Sequence, residues 1–157
     1  MGGTFTDCVA RTPAQELRTL KVLSSSRLKG RVAAGAAGLL CDESLCGLRD
    51  DFLRGFERRL LGPAGVVLER AAVTGSRSAD GAVLPARPLD KLAAARSWEL
   101  ASPEEAPLLC MRMLMGLRLD EGIGEVELRL GTTRGTNALL PRAGARTAQL
   151  ATQGFAD

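Results

Sequence analysis

Two segments of the chain combine glycine with hydroxyl side chains, and both could hold an anion. Residues 2–7 read GGTFTD and residues 131–137 read GTTRGTN. Glycine lets main-chain N–H groups approach a phosphate closely, and threonine hydroxyls add donors without adding charge. A short helix expected from residue 138 would aim its positive N-terminal end at the same anion. Asp7 closes the first segment. A carboxylate there could hold Mg²⁺ through water, since that ion prefers one or two carboxylates together with phosphate oxygens. The arrangement is not the Walker pattern, because no Gly-Lys-Ser/Thr follows. Glycine and threonine also fill ordinary turns, so either loop taken alone reads first as a turn. Arg134 reads as a solvated side chain, with contact to a phosphate or carboxylate as its alternative.

The rest of the composition removes other chemistries. The chain has no histidine, which excludes Ser-His-Asp, Cys-His and His-ligated metal catalysis within it. Its four cysteines are Cys8, Cys41, Cys46 and Cys110. A four-ligand zinc site would need all of them to converge. Buried small hydrophobes in a reduced cytoplasm are the preferred reading. A net charge of +3, with arginines scattered among acids and only one Trp and four Phe, argues against a nucleic-acid partner. The longest uncharged run, residues 32–41, is ten residues, against roughly 20 for a membrane span, so no membrane partner is expected. The first ten residues lack a basic n-region and include Asp7, unlike a secretory signal. Cytoplasmic localisation is therefore expected. At 157 residues and 45% hydrophobic, the chain is one domain, or a piece of a larger one, with enough apolar side chains for a core.

Certain elements must position the two loops. The first leads into alternating residues, and residues 17–23 (LRTLKVL) read as a second strand after a polar turn containing Pro13, so a hairpin is expected. Residues 24–30 read as a polar connection. Residues 51–61 place Phe52, Leu53, Phe56, Leu60 and Leu61 at helical spacing, stopped by Gly62-Pro63. Two short segments, 65–68 and 71–74, precede a turn at 75–81, and residues 88–96 could form a short helix. Ser102-Pro-Glu-Glu105 has the form of a capping box for a largely buried helix ending near Gly116. Pro107 should weaken its first turns, and Met111, Met113 and Met115 read as core filling. Residues 125–130 (EVELRL) alternate as a strand, followed by the GTT loop, a short helix and a strand at 147–152. That is an α/β grammar.

Read together, GGTFTD (2–7), GTTRGTNALL (131–140) and TQGFAD (152–157) resemble the N-terminal, hydantoinase A-type domain of the hydantoinase/5-oxoprolinase family. Residues 17–25 (LRTLKVLSS) and 98–109 (WELASPEEAPLL) fit the same family, whereas residues 31–95 fit poorly and are expected to be an insertion or variable region of uncertain topology. The resemblance implies an actin-like ATPase (ribonuclease H-like) fold across 1–157, present as an incomplete N-terminal subdomain. It also implies coupling of ATP hydrolysis to the opening of a cyclic amide, such as 5-oxoproline to glutamate or a hydantoin ring. Phosphorylating the carbonyl oxygen of a poorly electrophilic ring amide creates a good leaving group, a task of positioning and charge neutralisation. By this resemblance Gly2, Gly3, Thr4, Thr6 and Asp7 cradle the nucleotide phosphates, with Asp7 on Mg²⁺. Thr132, Thr133, Thr136 and Asn137 border the same cleft, facing phosphate or substrate.

The sequence departs from the family at informative places. The family's first strand, ending in an aspartate two residues before GGTFTD, would precede Met1, and several hundred further residues would follow Asp157. Pro141 stands where the family carries a charged helix residue, so the helix after Asn137 is expected to end early. The chain is accordingly expected to be a fragment, inactive alone, whose partners are the remaining hydantoinase/oxoprolinase polypeptide and a cyclic-amide substrate. The alternative is a non-catalytic, degenerate or partner-dependent interaction module, since loss of a central strand exposes edges and apolar surface.

Overall fold

In the computed structural model, residues 5–33, 39–88 and 90–131 are described, with Arg146, Ala148 and Thr152. The chain divides into two units, Thr4–Glu127 and a second made of Met1–Gly3 with Leu128–Asp157. All regular secondary structure among the described residues lies in the first. That unit is mixed α/β, built of antiparallel strands and one α-helix. The loop, helix and second strand of the alternation read over residues 125–152 lie almost wholly outside the described residues.

The expected hairpin forms. β1 (Phe5–Arg11) and β2 (Leu17–Leu23) pair in continuous register from Phe5↔Leu23 to Arg11↔Leu17. The turn between them is fastened by Glu16 N–H donating to the Thr12 hydroxyl at 3.2 Å and by Thr12 N–H donating to the Glu16 carbonyl at 2.9 Å. Alternation along β1 sets Thr6, Cys8 and Ala10 on one half-buried side and Phe5, Asp7, Val9 and Arg11 on an exposed one.

The remaining strands are β3 (Arg27–Arg31), β4 (Leu40–Cys41), β5 (Glu57–Leu61), β6 (Val67–Arg77), β7 (Ala82–Pro85) and β8 (Ser97–Ala101). They form one sheet in the order β3-β8-β5-β6-β7-β4. Register shifts at Leu60/Leu61 and Val73/Gly75 mark bulges that help it curl. Its core packs Phe52, Phe56, Leu60, Trp98, Leu100 and Leu109. The two edge strands approach each other through side chains: Asp42, just past β4, accepts from the Trp98 indole N–H at 3.0 Å. Gly30 of β3 faces the same pair. A Cβ there would lie 2.3 Å from the indole and 2.7 Å from the Asp42 carboxylate, so only glycine fits. Gly81, with φ +60°, has the Asp42 carbonyl 2.0 Å from where its Cβ would stand and accepts the Asp42 N–H at 3.2 Å.

α1 (Ala106–Met115) ends at Gly116 in the left-handed conformation, as expected. Its start differs from the capping box. The Ser102 hydroxyl accepts from Glu104 N–H at 3.1 Å, Glu105 is the N-cap with no side-chain bond, and Glu104 instead forks onto Arg112 at 2.6 and 2.8 Å. Pro107 falls in the first turn, where its missing N–H leaves no bond unmade. Of the three methionines, Met113 packs on the core while Met115 is exposed.

Five more expectations are corrected. Residues 27–31 belong to a strand, not a connection, because their backbone ladders with β8. Residues 51–61 are not a helix. Asp51 and Gly55 take positive φ, their N–H groups donate to the Ser76 and Val73 carbonyls, and residues 57–61 run as β5. The apolar spacing there reflects Phe52, Leu53 and Phe56 plugging the core from a series of turns. Residues 65–77 are dominated by one long strand, β6, and residues 88–96 hold only a 3-10 turn at Leu92–Ala94. Residues 125–130 carry no strand, and Val126, Leu128 and Leu130 are exposed. The region 31–95, read as an insertion, supplies β4 to β7 to the sheet that β3 and β8 complete.

Candidate functional site

The hairpin carries the described part of the first motif. Thr6 and Asp7 lie within β1 rather than in the loop that precedes it. The Thr6 hydroxyl shares a hydrogen bond with the Ser24 hydroxyl at 3.1 Å. Asp7 stands opposite Lys21 in the register, and its carboxylate meets the Lys21 ammonium at 2.9 Å, both side chains well exposed. An exposed pair of this kind is worth little to stability, so both groups are available to a ligand. The Lys21 ammonium also lies 5.5 Å from the centre of the Phe5 ring.

This arrangement suits a phosphate–metal ligand only in part. A single carboxylate can hold Mg²⁺ through water when phosphate oxygens complete the shell, and among the described residues no group of three or more acidic or cysteine side chains is placed to bind a metal by itself. Asp7 alone would therefore hold Mg²⁺ only through water, with a ligand's own oxygens completing the shell. The sequence reading missed Lys21. The signal was present in the spacing: a hairpin turning at residues 12–16 sets residue 7 against residue 21.

A second concentration of charge covers the outward side of the large sheet. Lys29, Glu99, Arg59 and Arg70 stand opposite one another across β3, β8, β5 and β6. Glu99 receives Lys29 at 2.7 Å and Arg27 at 3.0 Å. Burial would raise its carboxyl, but the Lys29 and Arg27 charges outweigh it, and Glu99 titrates below the ordinary 4.5. Arg59 turns to Glu57 at 2.5 Å, away from the like-charged Arg70. Beside the paired β5 and β6, a cleft of about 530 Å³ is lined by residues that include Glu57, Arg70 and Arg87. Neither Thr6 nor Asp7, the described sequence candidates, lines it.

On the inward side, Arg58 is fully buried and meets Glu69 at 2.5 Å. Its Nε and Nη1 have no hydrogen-bond partner among the described residues. Burial acts to raise the Glu69 carboxyl, and bonds from Arg58 and the Lys91 N–H overcome it, holding Glu69 below 4.5. The pair is structural, sealed between Ala71 and Leu100 in the register.

Of the candidate site residues, Thr6 and Asp7 are placed on one strand, on its opposite sides. Gly2, Gly3, Thr4, Thr132, Thr133, Thr136 and Asn137 lie outside the described residues, as do Arg134, Pro141 and the short helix and nearly all of the strand expected after the GTT loop. The cysteines separate into two kinds: Cys110 is buried and Cys8 half-buried, as expected, whereas Cys41 and Cys46 are exposed. No described helix is long and apolar enough to cross a membrane.

The fold and site thus define a mixed α/β domain whose first hairpin presents hydroxyl and carboxylate groups beside a lysine. No family model, no curated protein and no solved structure matches the chain.

Proposed function

We propose that the chain is the N-terminal part of an ATP-dependent cyclic-amide hydrolase of the hydantoinase/5-oxoprolinase type, with an actin-like ATPase core, contributing phosphate-binding loops and requiring further polypeptide for turnover. The observation that carries this reading is the pairing of GGTFTD at 2–7 with GTTRGTNALL at 131–140. Gly2, Gly3, Thr4 and Thr6 would receive the phosphates of ATP through backbone and hydroxyl donors. Asp7 would hold Mg²⁺ through water, and Lys21 would release Asp7 for a phosphate oxygen. Thr132, Thr133, Thr136 and Asn137 would face phosphate or the cyclic amide. When bound, Mg²⁺–ATP supplies the phosphoryl group that activates the ring carbonyl.

Nucleotide titration with and without Mg²⁺ tests it, against a Thr4→Val/Thr6→Val variant. Mg²⁺-dependent binding weakened at least tenfold in the variant is expected, and unchanged affinity would take the first motif out of phosphate binding. ATP-dependent opening of 5-oxoproline by the chain alone would contradict the need for further polypeptide.

A second reading, a partner-dependent module, is favoured by one observation. Phe5, Val9 and Leu17 are 52%, 70% and 65% exposed on the side of the hairpin away from α1. A cooperative, monodisperse monomer in sedimentation would speak against it.

A further inference from the structure

The small cluster between hairpin and helix holds two thiols for which the nucleotide reading has no use. Cys8, half-buried on β1, packs against the group formed by Val22, Ala106 and Cys110. Cys110, on α1, is fully buried. The strand and helix backbones come within 8 Å of each other, and a disulfide forms where Cα atoms stand about 4.4–6.8 Å apart. Cys41 and Cys46, by contrast, are exposed at the two ends of a 3-10 turn at Glu43–Leu45.

We propose that Cys8 and Cys110 form a reversible, redox-sensitive cross-link between β1 and α1, closed by exchange with a small-molecule disulfide. Cys8 is the entry point because it alone of the two reaches solvent. Its thiolate attacks one sulfur of the small disulfide, forming a mixed disulfide and releasing one thiolate, which takes up the Cys8 proton. Cys110 then gives up its proton, attacks the Cys8 sulfur and releases the second small thiol. Two protein sulfurs are oxidised, two sulfurs of the small disulfide are reduced, and two small thiols leave with the two protons. Burial disfavours the charged thiolate of Cys110, so the second step is the slower of the two. Once closed, the bond fixes β1 to α1 and encloses about 100 residues of chain, so the oxidised form resists unfolding. The cross-link stands independently of any nucleotide at β1.

The test uses the full chain carrying Cys41→Ser and Cys46→Ser, incubated with oxidised glutathione, blocked with iodoacetamide and mapped by peptide mass. The expected result is an intact mass lower by two hydrogens and a peptide pair joining Cys8 to Cys110, reversed by dithiothreitol. The oxidised form should also melt roughly 5–10 °C higher than the reduced one. With Cys110→Ala added, glutathione should instead remain trapped on Cys8. Glutathione held equally on Cys8 with and without Cys110, dimers linked through Cys8, or two thiols still alkylated on unfolding would each overturn the cross-link. Mapping the wild-type chain in the same way should find the same two peptides joined without any serine substitution.

Discussion

Replacing Gly30 by alanine should damage the fold more than any other single methyl group added to a described glycine of ordinary φ. The new Cβ would stand 2.3 Å from Trp98 Cζ2, 2.5 Å from Cε2 and 2.7 Å from the Asp42 carboxylate. None of the three can yield cheaply. The indole is 1% exposed in the core, and Asp42 is held by the Ser44 N–H and hydroxyl at 2.9 and 2.6 Å. Forcing a methyl group into a packed core costs about 1–3 kcal/mol. Displacing the indole also breaks its 3.0 Å bond to Asp42, and a hydrogen bond to a charged group is worth about 1.5–3 kcal/mol. Stiffening the unfolded chain offsets about 0.4–1 kcal/mol. A net loss of about 2–5 kcal/mol follows. Trp98 is the only tryptophan, so urea unfolding followed by its fluorescence reads both the stability and the displacement, as a lower midpoint and a red-shifted native emission. Gly122→Ala, with nothing within 4 Å of its added Cβ, is the control and should stay within about 0.5 kcal/mol. If Gly30→Ala unfolds with its control and the emission does not move, the indole does not pack across Gly30 and the proposed approach of the sheet edges is wrong.

Three other outcomes follow from the buried charges and thiols. Arg58→Met removes the side-chain partner of Glu69, leaving its carboxylate the Lys91 N–H, and should cost about 3–5 kcal/mol in denaturant unfolding, whereas Arg58→Met/Glu69→Gln should recover most of it; equal losses would show that the two do not act as a pair. Glu69 and Glu99 have folded pKa values below their ordinary 4.5, so their stabilisation is complete above that value and lost as pH falls through the folded pKa. The urea midpoint should therefore be flat in these two groups from about pH 6 upward and drop below about pH 4.5, more gently in Glu99→Gln; a midpoint indifferent to acid would refute the assignment. Burial, with Cys8 beside it, pushes the Cys110 thiol up to about 11. Iodoacetamide at pH 8 should label Cys41 and Cys46 in the native protein and Cys110 only in denaturant, and early labelling of Cys110 would place it at the surface.

The hairpin was legible because its strands alternate cleanly and a turn rich in polar residues separates them. The stop at Gly116 was legible for a similar local reason, since only glycine takes that left-handed cap without strain. The large sheet was not. Its charged strand residues looked like loops, and only the cross-strand neighbours explain them: Lys29 meets Glu99, Arg59 stands opposite Glu99, and Arg58 points inward to Glu69. Such pairing is long-range and leaves no periodic trace. Phe52, Leu53 and Phe56 imitate a helix because turns filling a core repeat at similar intervals, while the positive φ at Asp51 and Gly55 that forbids a helix is invisible in the letters. The candidate site was readable only as motif, and of that motif the structure describes Thr6 and Asp7.

Because β4 is two residues long and no backbone ladder joins it to β3, the curled sheet is a hoop held shut by a side-chain latch. Thermal breathing should begin there, since releasing one indole–carboxylate bond leaves β4 held only by its two-residue ladder to β7 while the β5–β8 ladder stays intact. Amide deuterium uptake ought to reach Leu40 and Cys41 well before Leu60 and Leu100, so that the molecule unwraps from its seam inward.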